Sequence, residues 1–148
     1  MIALIILAIA ITPALIYLSQ NHLNRSVRSL DRGDCPAAID QALAATSVLS
    51  LRPEPFEILG YCDVRLGRPQ LAVRAMEEAV ERDPKAWQLR YGLALVRAAA
   101  GRDPRPAARS ALRLNPLSPL TEDAVKRFRT SDPRKWKRRA LGARLPIE

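Results

Sequence analysis

The stretch "ILGYCDVRLGRPQLAVRAMEEAVERDP", Ile58 to Pro84, decides the fold. It sets Gly60 inside one helical pattern, Gly67 at its end, small residues at Ala72 and Ala79, and a stop at Asp83-Pro84. Gly60 and Ala72 carry almost no side chain, so two helices joined near Gly67 can approach closely there, with Phe56, Leu59 and Met76 filling the space around the contact. Gly67 tolerates the positive φ of a tight helix exit. Pro84 pushes Asp83 out of the α region and ends the second helix. Each residue has a helical role.

The same spacing recurs outward from this stretch. Gly33 and Gly67 are 34 residues apart, as are Ala38 and Ala72, Ile39 and Val73, and Ala45 and Ala79. With this period, "PEPFEILGYCDVRLGRPQLAVRAMEEAVERDP" resembles a tetratricopeptide repeat (TPR). Phe56, Leu59, Gly60, Gly67, Ala72, Met76, Ala79 and Pro84 stand where that family has an aromatic, Leu, Gly, Gly, Ala, a large apolar residue, Ala and Pro. From Lys85, "KAWQLRYGLALVRAAAGRDPRPAARSALRLNP" restates the unit with Trp87, Gly92, Gly101, Ala111 and Pro116. Its first helix reads about two residues longer than the template and its second about two shorter. Pro104 and Pro106 open that second helix, where a missing N–H costs little.

The first unit fits in "DCPAAIDQALAATSVL", whereas "SQNHLNRSVRSLDR" keeps only a thin apolar row at Leu23, Val27 and Leu30. Beyond the third unit, "SPLTEDAVKRF" reads as a closing helix with Ser118 as N-cap and Pro119 as its first residue. A last short helix is expected from Pro133 to about Leu141, capped by Asp132. Nothing in the chain reads as a strand. The expected fold is all-α: an N-terminal transmembrane helix, then a TPR-like helical-hairpin solenoid of about three repeats with a closing helix.

The transmembrane expectation rests on Ile2 to Leu18, "IALIILAIAITPALIYL", which carries no charge. Its length is near the lower limit for a span, roughly 17 to 25 residues. No basic side chain precedes it, "TPALIYLSQ" makes a poor cleavage site and no polar face appears, so a retained anchor is preferred to a signal peptide and to a buried core helix. The domains are then residues 1–18 as anchor, 19–130 as repeat domain and 131–148 as basic tail. Arg25, Arg28 and Arg32 follow the apolar run, which places a single-pass plasma-membrane protein with its repeats in the cytoplasm. Cys35 and Cys62 point the other way if they are bonded. Helix order puts them toward the same end of a packed pair, and they read either as small buried hydrophobes or as one disulfide. A disulfide would favour an extracytoplasmic domain.

The net charge of +9 is uneven. Arg134, Lys135, Lys137, Arg138 and Arg139 crowd the tail, with Trp136 among them as a candidate interfacial side chain. Such a run suits anionic lipid headgroups; the plain alternative is a solvated basic end, and nucleic acid is not expected as a partner.

No catalytic, cofactor-binding or metal-binding residue is expected. His22 is the single His and has no acidic neighbour closer in sequence than Asp31. "GRPQ" and "GRDP" are inter-helix turns rather than phosphate loops. Glu77 and Glu78 are adjacent on a helix and point apart. The expected function is therefore a membrane-anchored protein–protein interaction or scaffolding module. In a stack of helix pairs the first helix of each pair lines a concave surface. The candidate groove residues are Glu54, Glu57, Tyr61 and Arg65 in one repeat and Gln88, Arg90, Tyr91 and Arg97 in the next, suited to a protein or peptide partner. The run from "LDRGDCPAAID" to "ALRLNPLSPL" is also similar to the soluble tail of actinobacterial O-antigen ligase/polymerase-like proteins. That resemblance implies an accessory or split-off part of a cell-envelope polysaccharide assembly system, without the glycosyltransferase chemistry.

Overall fold

The computed structural model describes the backbone of residues 2–146 and the side chains of residues 12–146. The helices are α1 (Ile2–Asp31), α2 (Cys35–Val48), α3 (Glu54–Arg65), α4 (Pro69–Arg82), α5 (Trp87–Ala99), α6 (Arg105–Leu114), α7 (Pro119–Arg127) and α8 (Pro133–Leu141), with no strand among the described residues. Three hairpins, α1–α2, α3–α4 and α5–α6, stack through α2 on α3 and α4 on α5. The first helices also touch one another, α1 with α3 and α3 with α5, and so line a common face.

Each hairpin turns at a glycine. Gly33, Gly67 and Gly101 have φ of 78°, 72° and 73° and follow one another at 34-residue intervals. The glycine N–H bonds the carbonyl three residues back, on Leu30, Val64 and Ala98, at 2.9, 3.1 and 3.0 Å. The next N–H bonds the carbonyl five residues back, on Ser29, Asp63 and Arg97, at 2.9, 2.7 and 2.8 Å. The pair of bonds is a Schellman cap, which satisfies carbonyls the helix end would leave open. The third unit holds its phase at this glycine, not in its helix lengths. α5 has 13 residues against 12 in α3, and α6 has 10 against 14 in α4.

The expected close contact lies inside the second hairpin. A Cβ on Gly60 would stand 3.1 Å from Met76 Cε and 3.3 Å from the Ala72 carbonyl. Ala72, Met76 and Ala79 are fully buried there. The first hairpin uses a device that its thin apolar row did not reveal. Ser19 and Ser26 are fully buried and share a stripe with Leu23 and Leu30. Ser26 Oγ donates to the Ala38 carbonyl at 2.7 Å and Ser19 Oγ to the Ala45 carbonyl at 3.3 Å. Small hydroxyls let α1 sit close to α2 while meeting their own hydrogen-bonding needs.

The membrane anchor is corrected. Among the described residues no helix is long and apolar enough to cross a membrane. From Ser19 onward α1 carries Gln20, Asn21, Asn24, Arg25, Arg28 and Asp31, and it packs on α2 as the first helix of a repeat. Much of the apolar run, residues 1–11, lies outside the described side chains. The expected single-pass plasma-membrane location, with its cytoplasmic or extracytoplasmic repeat domain, falls with the anchor.

The end of the chain folds onto the repeats. α7 begins at Pro119 as expected, but Ser118 makes no side-chain cap. Thr121 Oγ1 instead donates to the carbonyls of Asn115 and Ser118, at 2.7 and 2.8 Å. Asp132 does cap α8, accepting from the Arg134 N–H at 2.9 Å. α8 packs on α5, and Trp136 is part of the main core cluster. Trp136 is therefore corrected as well: at 5% exposure, with Nε1 donating to the Thr130 carbonyl at 2.6 Å, it is a core side chain and not an interfacial one.

Candidate functional site

The common face of α1, α3 and α5 carries a groove of about 820 Å³. Gln20, Leu23, Asn24, Val27 and Arg28 border it from α1, Glu54, Glu57 and Ile58 from α3, and Gln88 and Leu89 from α5. Arg52, Asp83 and Lys85 contribute from the inter-helix loops. The floor is apolar at Leu23, Ile58 and Leu89, and the walls carry charges of both signs. Arg52 organises one wall, donating to Glu54 at 2.8 Å and to Gln20 Oε1 at 2.6 Å. Gln20 in turn donates to Asn24 at 2.9 Å. Polar groups of α1 and α3 are thus set by one network across the groove wall.

Glu57 is the unusual side chain. Its carboxylate accepts from the Tyr61 hydroxyl at 3.1 Å, one turn along α3. Burial lifts its pKa to about 7; the Tyr61 hydrogen bond opposes the shift and the Glu54 charge adds to it. Tyr61 is itself 4% exposed, and burial followed by the Glu57 charge pushes its phenol well up. A glycine makes room for this pair, because a Cβ on Gly92 of α5 would collide with the Tyr61 hydroxyl.

The eight expected groove residues divide by place. Glu54, Glu57 and Gln88 border the groove. Tyr61 and Arg65 border a separate small cleft between α3 and α5, under the end of the chain. Arg65 also donates to the Leu30 carbonyl at 3.1 Å, tying α3 to the end of α1. Tyr91 is buried and its hydroxyl donates to the Arg144 carbonyl at 2.9 Å. Arg97 pairs with Glu77 of α4 at 2.8 Å, which takes it away from the groove. Arg90 borders neither cleft, and its Nε is buried without a hydrogen-bond partner among the described residues. Sequence reasoning missed Gln20, Asn24, Arg28, Arg52 and Lys85. Those on α1 flank the apolar row at Leu23, Val27 and Leu30 that marks the first helix of the first unit, and that row is the signal that could have found them.

Cys35 and Cys62 are both buried and unbonded. They sit side by side in the smaller core cluster with Leu23, Leu30, Ala38, Ala42 and Ile58. Burial, and then the neighbouring Cys35, raise the Cys62 thiol far above its ordinary range. Here the pair acts as two small packed hydrophobes. Among the described residues no group of three or more His, Cys, Asp or Glu is placed to hold a metal ion.

Solved structures share this architecture at low identity. The TPR domain of Arabidopsis OM64 matches with a TM-score of 0.71 at 16% identity, over 78% of this chain and 97% of that one. The Sgt2 TPR domain from Aspergillus fumigatus matches with a TM-score of 0.69 at 19% identity, over 88% of this chain and 86% of that one. An O-GlcNAc transferase variant from Thermobaculum terrenum matches with a TM-score of 0.70 at 20% identity, over 75% of this chain. The match covers only 22% of that transferase, so this chain spans about a fifth of its length. No protein-family model matches the chain, and no curated protein does. The fold is that of a tetratricopeptide-repeat domain.

Proposed function

We propose that this chain is a protein-interaction module whose inner groove takes a peptide segment of a partner protein. The observation that carries the reading is the groove itself, open along the first helix of all three hairpins, with an apolar floor and walls of mixed charge. Such a surface suits an extended or helical segment with a few apolar anchors and polar flanks. The TPR domains of OM64 and Sgt2, which the chain covers for most of their length, support a binding role over a catalytic one. An accessory place in polysaccharide assembly rests on the sequence resemblance alone.

Site-specific photo-crosslinking tests the groove. A benzoyl-phenylalanine at Asn24 or Gln88 should yield crosslinked partner adducts, whereas the same probe at exposed Glu81 on α4 should not. Equal adducts from both faces would remove the groove from the reading.

A second reading concerns α8. Its nine residues carry five exposed cations, Arg134, Lys135, Lys137, Arg138 and Arg139, of which Arg139 also donates to the Arg127 carbonyl at 2.6 Å. A cationic helix face of this kind suits an anionic lipid surface, at about 1 kcal/mol per Lys or Arg held near it.

A further inference from the structure

The segment after α8 lies against the inner face. Residues 142–146 form no helix or strand, and they alternate: Gly142 and Arg144 are exposed, whereas Ala143 and Leu145 are half-buried against the main core. Ala143 and Leu145 close a cleft of about 120 Å³ whose other wall is Tyr61 and Val64 of α3 with Leu95 and Val96 of α5. The Tyr91 hydroxyl donates to the Arg144 carbonyl at 2.9 Å, a contact across 53 residues of chain. Pro146 then borders the rim of the large groove. This is how an extended peptide seats on a helical groove: alternate side chains enter pockets and a main-chain carbonyl meets a fixed donor. The local backbone bonds of the segment both go to the Ala140 carbonyl, from the Gly142 and Ala143 N–H groups. Its position is therefore set by the groove.

We propose that residues 142–146 are a resident occupant of the inner face, and that the partner is an extended peptide with a small residue and a leucine two positions apart. Such a peptide binds where Ala143 and Leu145 now sit, displaces the segment and continues into the open groove past Pro146. Tethering holds the resident segment at an effective concentration of order millimolar. A peptide in trans therefore binds the native chain weakly and binds a chain with a released segment tightly. The proposal rests on the reading of the inner face as a peptide groove.

The test uses the full chain and a labelled peptide copying residues 140–146, followed by fluorescence anisotropy. Ala143→Lys with Leu145→Lys should release the segment, because an ammonium is excluded from a largely apolar cleft that Arg65 also borders. The double variant should bind the peptide at least tenfold more tightly than the native chain does, with helix content unchanged. Should that variant lose helix content, Leu145→Ser alone makes the same comparison with a milder change and leaves the Tyr91 donor in place. Equal affinity for native and released chains overturns the proposal, and so does absence of binding to a released chain of native helix content. A panel of unrelated extended heptapeptides separates the two readings. Panel members that bind native and released chains alike leave the groove reading standing and overturn the resident occupant. Absence of binding to either chain by both the panel and the 140–146 peptide overturns both.

Discussion

Glu57 makes a titration of the groove a property of one residue. Its folded-state pKa of about 7 is raised above the ordinary value of 4.5, chiefly by burial. The folded chain therefore holds this proton more tightly than the unfolded chain does. The contribution is fully present below about pH 4.5 and is lost as pH rises through about 7. Glu57→Gln keeps the acceptor for the Tyr61 hydroxyl and removes the charge. Urea unfolding midpoints of the native chain should fall between pH 5 and pH 7.5 relative to those of Glu57→Gln, whose own curve should be flatter across that window. Parallel curves would mean that Glu57 is solvated and not held by the α3–α5 contact.

At the scale of elements, two kinds of glycine carry different work. Gly33 and Gly67 have open space where a Cβ would stand, so only their positive φ resists substitution. Gly67→Ala should cost about 1 kcal/mol, the usual penalty of a left-handed L-residue. Gly92 is helical, and its alanine Cβ would meet the Tyr61 hydroxyl and lie 3.0 Å from Met76 Cε. That is overpacking between α5, α3 and α4, at roughly 1 to 3 kcal/mol. Gly92→Ala should therefore lower the melting temperature more than Gly67→Ala, and it should also move the Glu57 titration by disturbing Tyr61. If Gly67→Ala is the more damaging of the two, the Tyr61–Met76 packing is looser than described. The 34-residue glycine phase was legible before any coordinates because a Schellman turn depends on φ/ψ and on bonds within six residues. The serines of α1 were not legible. A buried Ser and an exposed Ser look alike in sequence, and only the α2 backbone opposite Ser19 and Ser26 distinguishes them.

At the scale of the molecule, the chain carries a net charge of +9, and five of its 24 Lys and Arg are concentrated on α8. Whole-chain binding to phosphatidylserine vesicles, measured by sedimentation, should be reduced at least severalfold when Arg134, Lys135, Lys137, Arg138 and Arg139 are changed to Gln. Added salt should weaken it, since exposed charges are screened within about 8 to 10 Å. Trp136 emission should stay unchanged on binding, because its indole is already inside the protein and bonded to Thr130. A blue shift would require α8 to leave α5. Vesicle binding that survives neutralisation would leave the five cations as a solvated surface.

By itself the sequence determined the all-helical repeat, the hairpin turns, the Gly60–Ala72–Met76 contact and the bounds of α8. All of these follow from local conformation or from a spacing repeated within one hairpin. Tertiary structure alone decided which way the end of the chain runs. A basic stretch with one Trp reads as a tail until α5 offers Trp136 a buried site and Tyr91 offers Arg144 a donor, 53 residues away in sequence. It likewise decided that Arg97 faces Glu77 and that Glu57 shares its burial with Tyr61. Burial is a sum over neighbours from several helices, and no single stretch of chain contains that sum.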